Sequence, residues 1–148
     1  MPMTKALDEW RTAERAWAAM EGGDEDDRQA AALRVIEAWM RYQELAGMFD
    51  GHAVLVADRS GRFVCANHDA SRLFGLPATA LIGRTVADIT APGSAGLQES
   101  MWRDFLEAGA MKGTYSVVGP GGVVEVHYDA RAHHPLPGYF MSKLRSLG

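Results

Sequence analysis

Cysteine is almost missing from this chain, with Cys65 the only one in 148 residues. One thiol excludes an intramolecular disulfide and any multi-cysteine zinc site, so stability has to come from an apolar core. Long hydrophobic runs are missing too. The longest span a few residues, against the roughly 20 needed to cross a bilayer, and Met1-Pro2-Met3-Thr4-Lys5 leads into a charged segment instead of a signal peptide. Positive charge is in deficit, 15 Lys and Arg against 19 Asp and Glu, a net −4 that gives no global attraction to nucleic acid or an anionic membrane. These absences predict a cytoplasmic protein with neither nucleic acid nor membrane as partner. Catalytic signatures are absent as well. No Ser-His-Asp set is tied to a nucleophile turn, no Gly-rich phosphate loop follows a strand, and no carboxylate pair has distinct acid and base surroundings, so no catalytic residue is assigned and no enzyme is expected. His133-His134 lacks a carboxylate or thiol at matching spacing, and no metal site is assigned.

What the chain does have is an ordinary soluble balance, 47% hydrophobic and 23% charged residues. Leu7, Trp10, Ala13, Trp17 and Met20 recur at three- and four-residue steps, which predicts an amphipathic helix. Gly22-Gly23 breaks it, and the acidic run Asp24 to Asp27 suits the start of a second helix reaching about Gly47. That helix carries Leu33, Val35, Ile36, Trp39, Met40, Tyr42, Leu45 and Ala46, more than a narrow stripe. Two readings are open: core packing within one chain, or a homodimer interface of Leu7, Trp10, Trp17, Met20, Ile36 and Trp39. The expected division is a helical extension at 1–50 and a second domain at 51–148.

The second domain begins with Val54 to Asn67. Two strand-length apolar runs flank Asp58-Arg59-Ser60-Gly61, whose Asp and Gly suit a type I turn, and Asn67 can cap a short helix that ends at Gly75. Leu76 to Gly83 predicts a further helical turn, Arg84 to Thr90 a brief connector, and Leu97, Met101, Trp102, Phe105 and Leu106 a longer helix, capped by Ser94 and stopped by Gly109. Three strands follow, Gly113 to Val118, Val123 to Ala132 and Tyr139 to Leu144, the first two joined by Gly119-Pro120-Gly121-Gly122. This order implies an α+β fold, an antiparallel sheet with helices on one face. Alternation along the Val123 strand puts Val124, Val126, Tyr128, Ala130 and Ala132 inward, and Glu125, His127, Asp129, Arg131 and His133 outward.

From about His52 to Arg145 the chain resembles a PAS (Per-Arnt-Sim) sensor domain. The resemblance is carried by Asp58 to Gly61, Asn67, Leu73-Phe74-Gly75, Leu81-Ile82-Gly83, Trp102-Arg103-Asp104-Phe105-Leu106-Glu107-Ala108-Gly109 and Gly122-Val123-Val124-Glu125-Val126, in that order. It implies a five-stranded antiparallel sheet whose concave face, closed by helices, often holds a small molecule, in proteins that sense, dimerise or pass signals to protein partners. The family pattern usually ends in Asp-Ile-Thr before an output helix, whereas this chain ends Leu144-Arg145-Ser146-Leu147-Gly148. A piece cut from a longer sensor and a lone module both fit, and Met1 with no trailing helix favours the second.

No cofactor is assigned. Flavin photoadduct members need a reactive cysteine on a helix, and Cys65 falls in a strand, where a small core residue is the ordinary role. Haem members commonly use a histidine from the long helix, and Ser94 to Gly109 has none. Non-covalent flavin or haem therefore stands as the alternative, supported only by Met101-Trp102, which resembles the Met-Trp pair of redox-sensing members. The lead expectation is a non-catalytic sensory module taking a small apolar or amphiphilic ligand among Phe63, Leu73, Phe74, Met101, Trp102, Phe105, Val126 and Tyr128. A purely structural dimerisation domain, with the same side chains filling the space, is the other alternative.

Overall fold

The structure, a computed structural model, describes residues 2–91 and 98–147, with backbone alone at 87 and 98–102. The chain divides into two compact units, Met1–Asp50 and Gly51–Gly148. In the first, α1 (Pro2–Ala19) and α2 (Glu25–Leu45) form a hairpin. Asp24 caps α2 by accepting from the Asp27 N–H, and Glu25, Asp26 and Asp27 place negative charge where the helix dipole is positive. Trp10 of α1 lies against Tyr42 of α2 with ring centroids 5.5 Å apart, and Trp39 meets Phe49 edge-on at the same distance.

In the second unit, β1 (Ala53–Ala57) turns into β2 (Phe63–Ala66) through the Asp58 loop. The Asp58 carboxylate accepts from the Ser60 N–H at 2.9 Å, the Gly61 N–H donates to the Asp58 carbonyl, and Gly61 takes the positive φ of 82° that closes the turn. Asn67 is buried and does more than cap α3 (His68–Phe74). Its Oδ1 accepts from the Ala70 N–H and from the Val54 N–H, both at 2.9 Å, while Nδ2 donates to the His52 carbonyl. One side chain thereby fixes both the start of the helix and the entry of β1. Gly75 ends α3 in the left-handed conformation, and a methyl group there would meet Pro120 Cβ at 2.8 Å, so this glycine is required by geometry and by space.

Short helices α4 (Ala78–Leu81) and α5 (Val86–Ile89) follow, then α6 (Gln98–Ala108). The Ser94 cap expected for α6 lies outside the described residues. Strands β3 (Ala110–Gly119), β4 (Gly122–Ala132) and β5 (Phe140–Ser146) complete a five-stranded antiparallel sheet in the order β2-β1-β5-β4-β3. The expected architecture is present, with strand ends shifted by one or two residues and one start moved by three. β3 starts at Ala110 and not Gly113, because Gly109 at φ 79° reverses the chain at once and its carbonyl accepts from the Ala132 N–H.

Candidate functional site

Cross-strand registry decides which side chains share the face closed by helices. Tyr115 pairs with Val126, Gly113 with Tyr128, Tyr128 with Leu144, Ala132 with Phe140, Phe140 with Ala57 and Ala57 with Phe63, so all of these point the same way. Ala53, Leu55, Phe63, Val117, Val126, Tyr128, Ala130, Phe140 and Leu144 are buried there in one cluster with Phe74 of α3, Leu81 of α4, Ile89 of α5 and Phe105 of α6. Phe105 packs edge-on to Phe140 at 5.9 Å, which brings the C-terminal half of α6 over β5.

Six of the eight side chains read as pocket-forming are described, and all six meet here. Phe63, Phe74, Phe105, Val126 and Tyr128 are buried, and Leu73 packs against the cluster half-buried. Met101 and Trp102 belong to the α6 backbone, and their side chains lie outside the described residues. The sequence reading missed Tyr115 and Phe140. Tyr115 follows from period-two alternation in β3, where Met111, Tyr115 and Val117 all pack on the cluster, a pattern visible in the sequence from Gly113 onward.

Two features give this face a chemical character. Several of its residues are very small: Gly113, Ala53, Ala57, Ala66, Ala130, Ala132 and Ser142. Its polar groups are the Ser142 hydroxyl and two phenols. The Tyr115 and Tyr128 rings stand edge to face, centroids 5.4 Å apart, and the Tyr128 ring lies across Gly113, where any Cβ would come within 3.0 Å of its hydroxyl. Tyr128 is 8% exposed, and neither hydroxyl has a hydrogen-bond partner among the described residues. Burial pushes both phenols above their ordinary pKa, so both remain protonated donors at neutral pH.

The polar residues on the rest of the β4–β5 connection are committed locally. His133 Nδ1 accepts from the Gly138 N–H at 2.9 Å, which places its proton on Nε2, and its ring tilts over Phe140 at 5.6 Å. Burial and the neighbouring Arg131 charge hold His134 below the usual histidine pKa. No group of three or more metal-ligating side chains occurs among the described residues, and Cys65 is buried on the face opposite the cluster, paired with Val56. No described helix is long and apolar enough to cross a membrane.

The residues read as a dimer interface separate into two groups. Leu7, Trp10, Trp17 and Met20 of the helical unit are half-buried. Ile36 and Trp39 are 0% and 4% exposed within the single chain, so neither offers surface to a second copy.

Comparison with solved structures finds the same fold at low identity. The PAS domain of the Cronobacter turicensis RpfR quorum-sensing receptor in complex with BDSF is 14% identical, with a TM-score of 0.58 over 66% of this chain and 95% of that one. The same domain in complex with C12:0 is 15% identical with equal coverage and TM-score. A PAS domain from Colwellia psychrerythraea is 19% identical, with a TM-score of 0.61 over 71% of this chain and 95% of that one. No curated protein matches the sequence. A family profile described as the PAS fold matches residues 50–138, more than half of the chain. With the sheet order and the helices closing its inner face, that match shows that this chain belongs to the PAS family.

Proposed function

We propose that this chain is a non-catalytic, cytoplasmic sensory module that takes a small apolar or amphiphilic ligand between α6 and the inner face of the sheet. The observation that carries the reading is the composition of that face. Small side chains at Ala57, Ala130, Ala132 and Ser142 share it with Phe105 and Tyr128, and two phenol hydroxyls have no described partner. Apolar walls with a few placed polar groups are the usual make-up of a small-molecule site. The two RpfR domains, solved with BDSF and C12:0 bound, support the ligand class.

In this reading the module is a homodimer joined through α1, where Leu7, Trp10, Trp17 and Met20 keep exposed apolar area, and a signalling protein receives the output. The ligand acts by favouring one of two arrangements of helix against sheet, to the extent that it binds one better than the other. The test is native mass spectrometry of gently purified protein beside its absorption spectrum. A colourless sample carrying a co-purified small molecule is the expected result. Apoprotein that takes up nothing from a mixed lipid extract overturns the ligand reading in favour of a filled core, and visible absorption bands overturn it in favour of a flavin or haem sensor.

A further inference from the structure

We infer that the ligand of this site is an uncharged amphiphile whose head group accepts hydrogen bonds from Tyr115 and Tyr128. The inference rests on the ligand-binding reading above and names the chemistry that reading leaves open. Charge decides it. Every described side chain in the cluster between helices and sheet is uncharged; Arg72 of α3, Arg103 of α6, Lys112 of β3, Arg131 of β4 and Arg145 of β5 are exposed, and Lys143 of β5 pairs with Val54 and Asp129 on the face opposite the cluster. Residues 92–102, which connect into α6 and form its first turn, contain no Lys, Arg or His. The His133 ring packs on Phe140 at the edge of the cluster, and its Nδ1 is already engaged by the Gly138 N–H.

An ionised carboxylate entering this face would shed its hydration with no cation to replace it, and it would be driven to neutralise. A ketone, ester or lactone oxygen loses far less water and can accept from both phenols. The two donors sit on adjacent rings, in edge-to-face contact at 5.4 Å, and Gly113 leaves room for the Tyr128 hydroxyl over β3. An apolar tail then has the small side chains of Ala130, Ala132 and Ala57 to run along, toward Phe105 and Phe140.

The test compares three probes of equal chain length on the full chain at about pH 7.5, by calorimetry or native mass spectrometry: 2-nonanone, nonanoate and nonane. The ketone should bind at least about tenfold tighter than the carboxylate, the scale of one hydrogen-bonded polar group. In the double variant Tyr115→Phe, Tyr128→Phe the ketone should weaken to the level of nonane while nonane itself holds, which also shows that the variant retains its site. Nonanoate binding as tightly as the ketone overturns the inference and leaves the ligand-binding reading intact. A ketone preference that survives both substitutions overturns the role of the phenols. Failure of all three probes to bind overturns the ligand-binding reading, and the inference with it.

Discussion

Of the eighteen residues of α1 only Ala6 is buried, whereas all five residues of β1 are. α1 buries one alanine fully and sets Trp10 against Tyr42 of α2, while Leu7, Trp17 and Met20 stay half-exposed. β1 lies between two hydrogen-bonded neighbours, and its inward residues Ala53, Leu55 and Ala57 belong to the main cluster. The difference shows where specificity is already complete within one chain and where apolar area is left over. A strand covered on both faces tolerates little change, while a helix with large half-covered side chains retains free energy to gain from a further contact.

The sharpest way to break the sheet side of this comparison is Asn67→Ala. The substitution removes the cap of α3 and leaves the buried Val54 N–H without its acceptor. Losing a cap and stranding a buried donor together cost about 3 kcal/mol. Urea unfolding should show the loss as a lower midpoint for the sheet unit. Asn67→Asp separates the two roles, because it keeps the acceptor for Val54 and Ala70 and loses only the donation to the His52 carbonyl. It should therefore fall between wild type and Asn67→Ala, and an Asp variant as unstable as the Ala variant would show that the Nδ2 bond carries the effect.

The helical side gives the next largest effect, and it should appear in assembly before it appears in stability. Replacing Trp10 and Trp17 together with Gln removes most of the aromatic surface of α1 and only one intrachain ring contact. The expected outcome is a sedimentation coefficient that falls to that of the monomer while the sheet unit unfolds at its wild-type midpoint. A coefficient unchanged by the double substitution removes α1 from the interface. The parallel substitution Trp39→Gln should behave oppositely, destabilising the helical unit, because Trp39 is buried and packed against Phe49.

These contrasts also explain what the sequence made legible. The hairpin turn at Asp58, the Asn67 cap and the Gly75 stop were readable because each rests on local chemistry within a few residues. The inward set Val124, Val126, Tyr128, Ala130 and Ala132 was readable from strict alternation. Tyr115 was legible from the same alternation through Gly113 and Val117, whereas Phe140 was hidden because its role depends on pairing with Ala132 and Ala57, which are distant in sequence. Ile36 and Trp39, buried within the single chain, meet a related limit. A helix apolar over much of its circumference does not say which stripe is covered within the chain and which is left for a partner.

The smallest effect concerns protons, and it again separates the two units. Residues 1–50 contain no histidine, so all five lie in the sheet unit. Burial and Arg131 lower the pKa of His134 in the folded chain, and the unfolded chain keeps the ordinary value near 6.5. Below that value the unfolded state binds the proton more readily, so this contribution is fully present above about pH 6.5 and is lost as pH falls through the lower, folded value. Urea midpoints for the sheet unit should therefore decline between roughly pH 7 and 5, and His134→Gln should flatten that decline, while the helical unit holds over the same interval. His133 is next in sequence, and its Nδ1 is occupied by the Gly138 N–H. A decline that persists unchanged in His134→Gln would show that it does not arise at His134, and that substitution leaves the neighbouring His133–Gly138 bond in place.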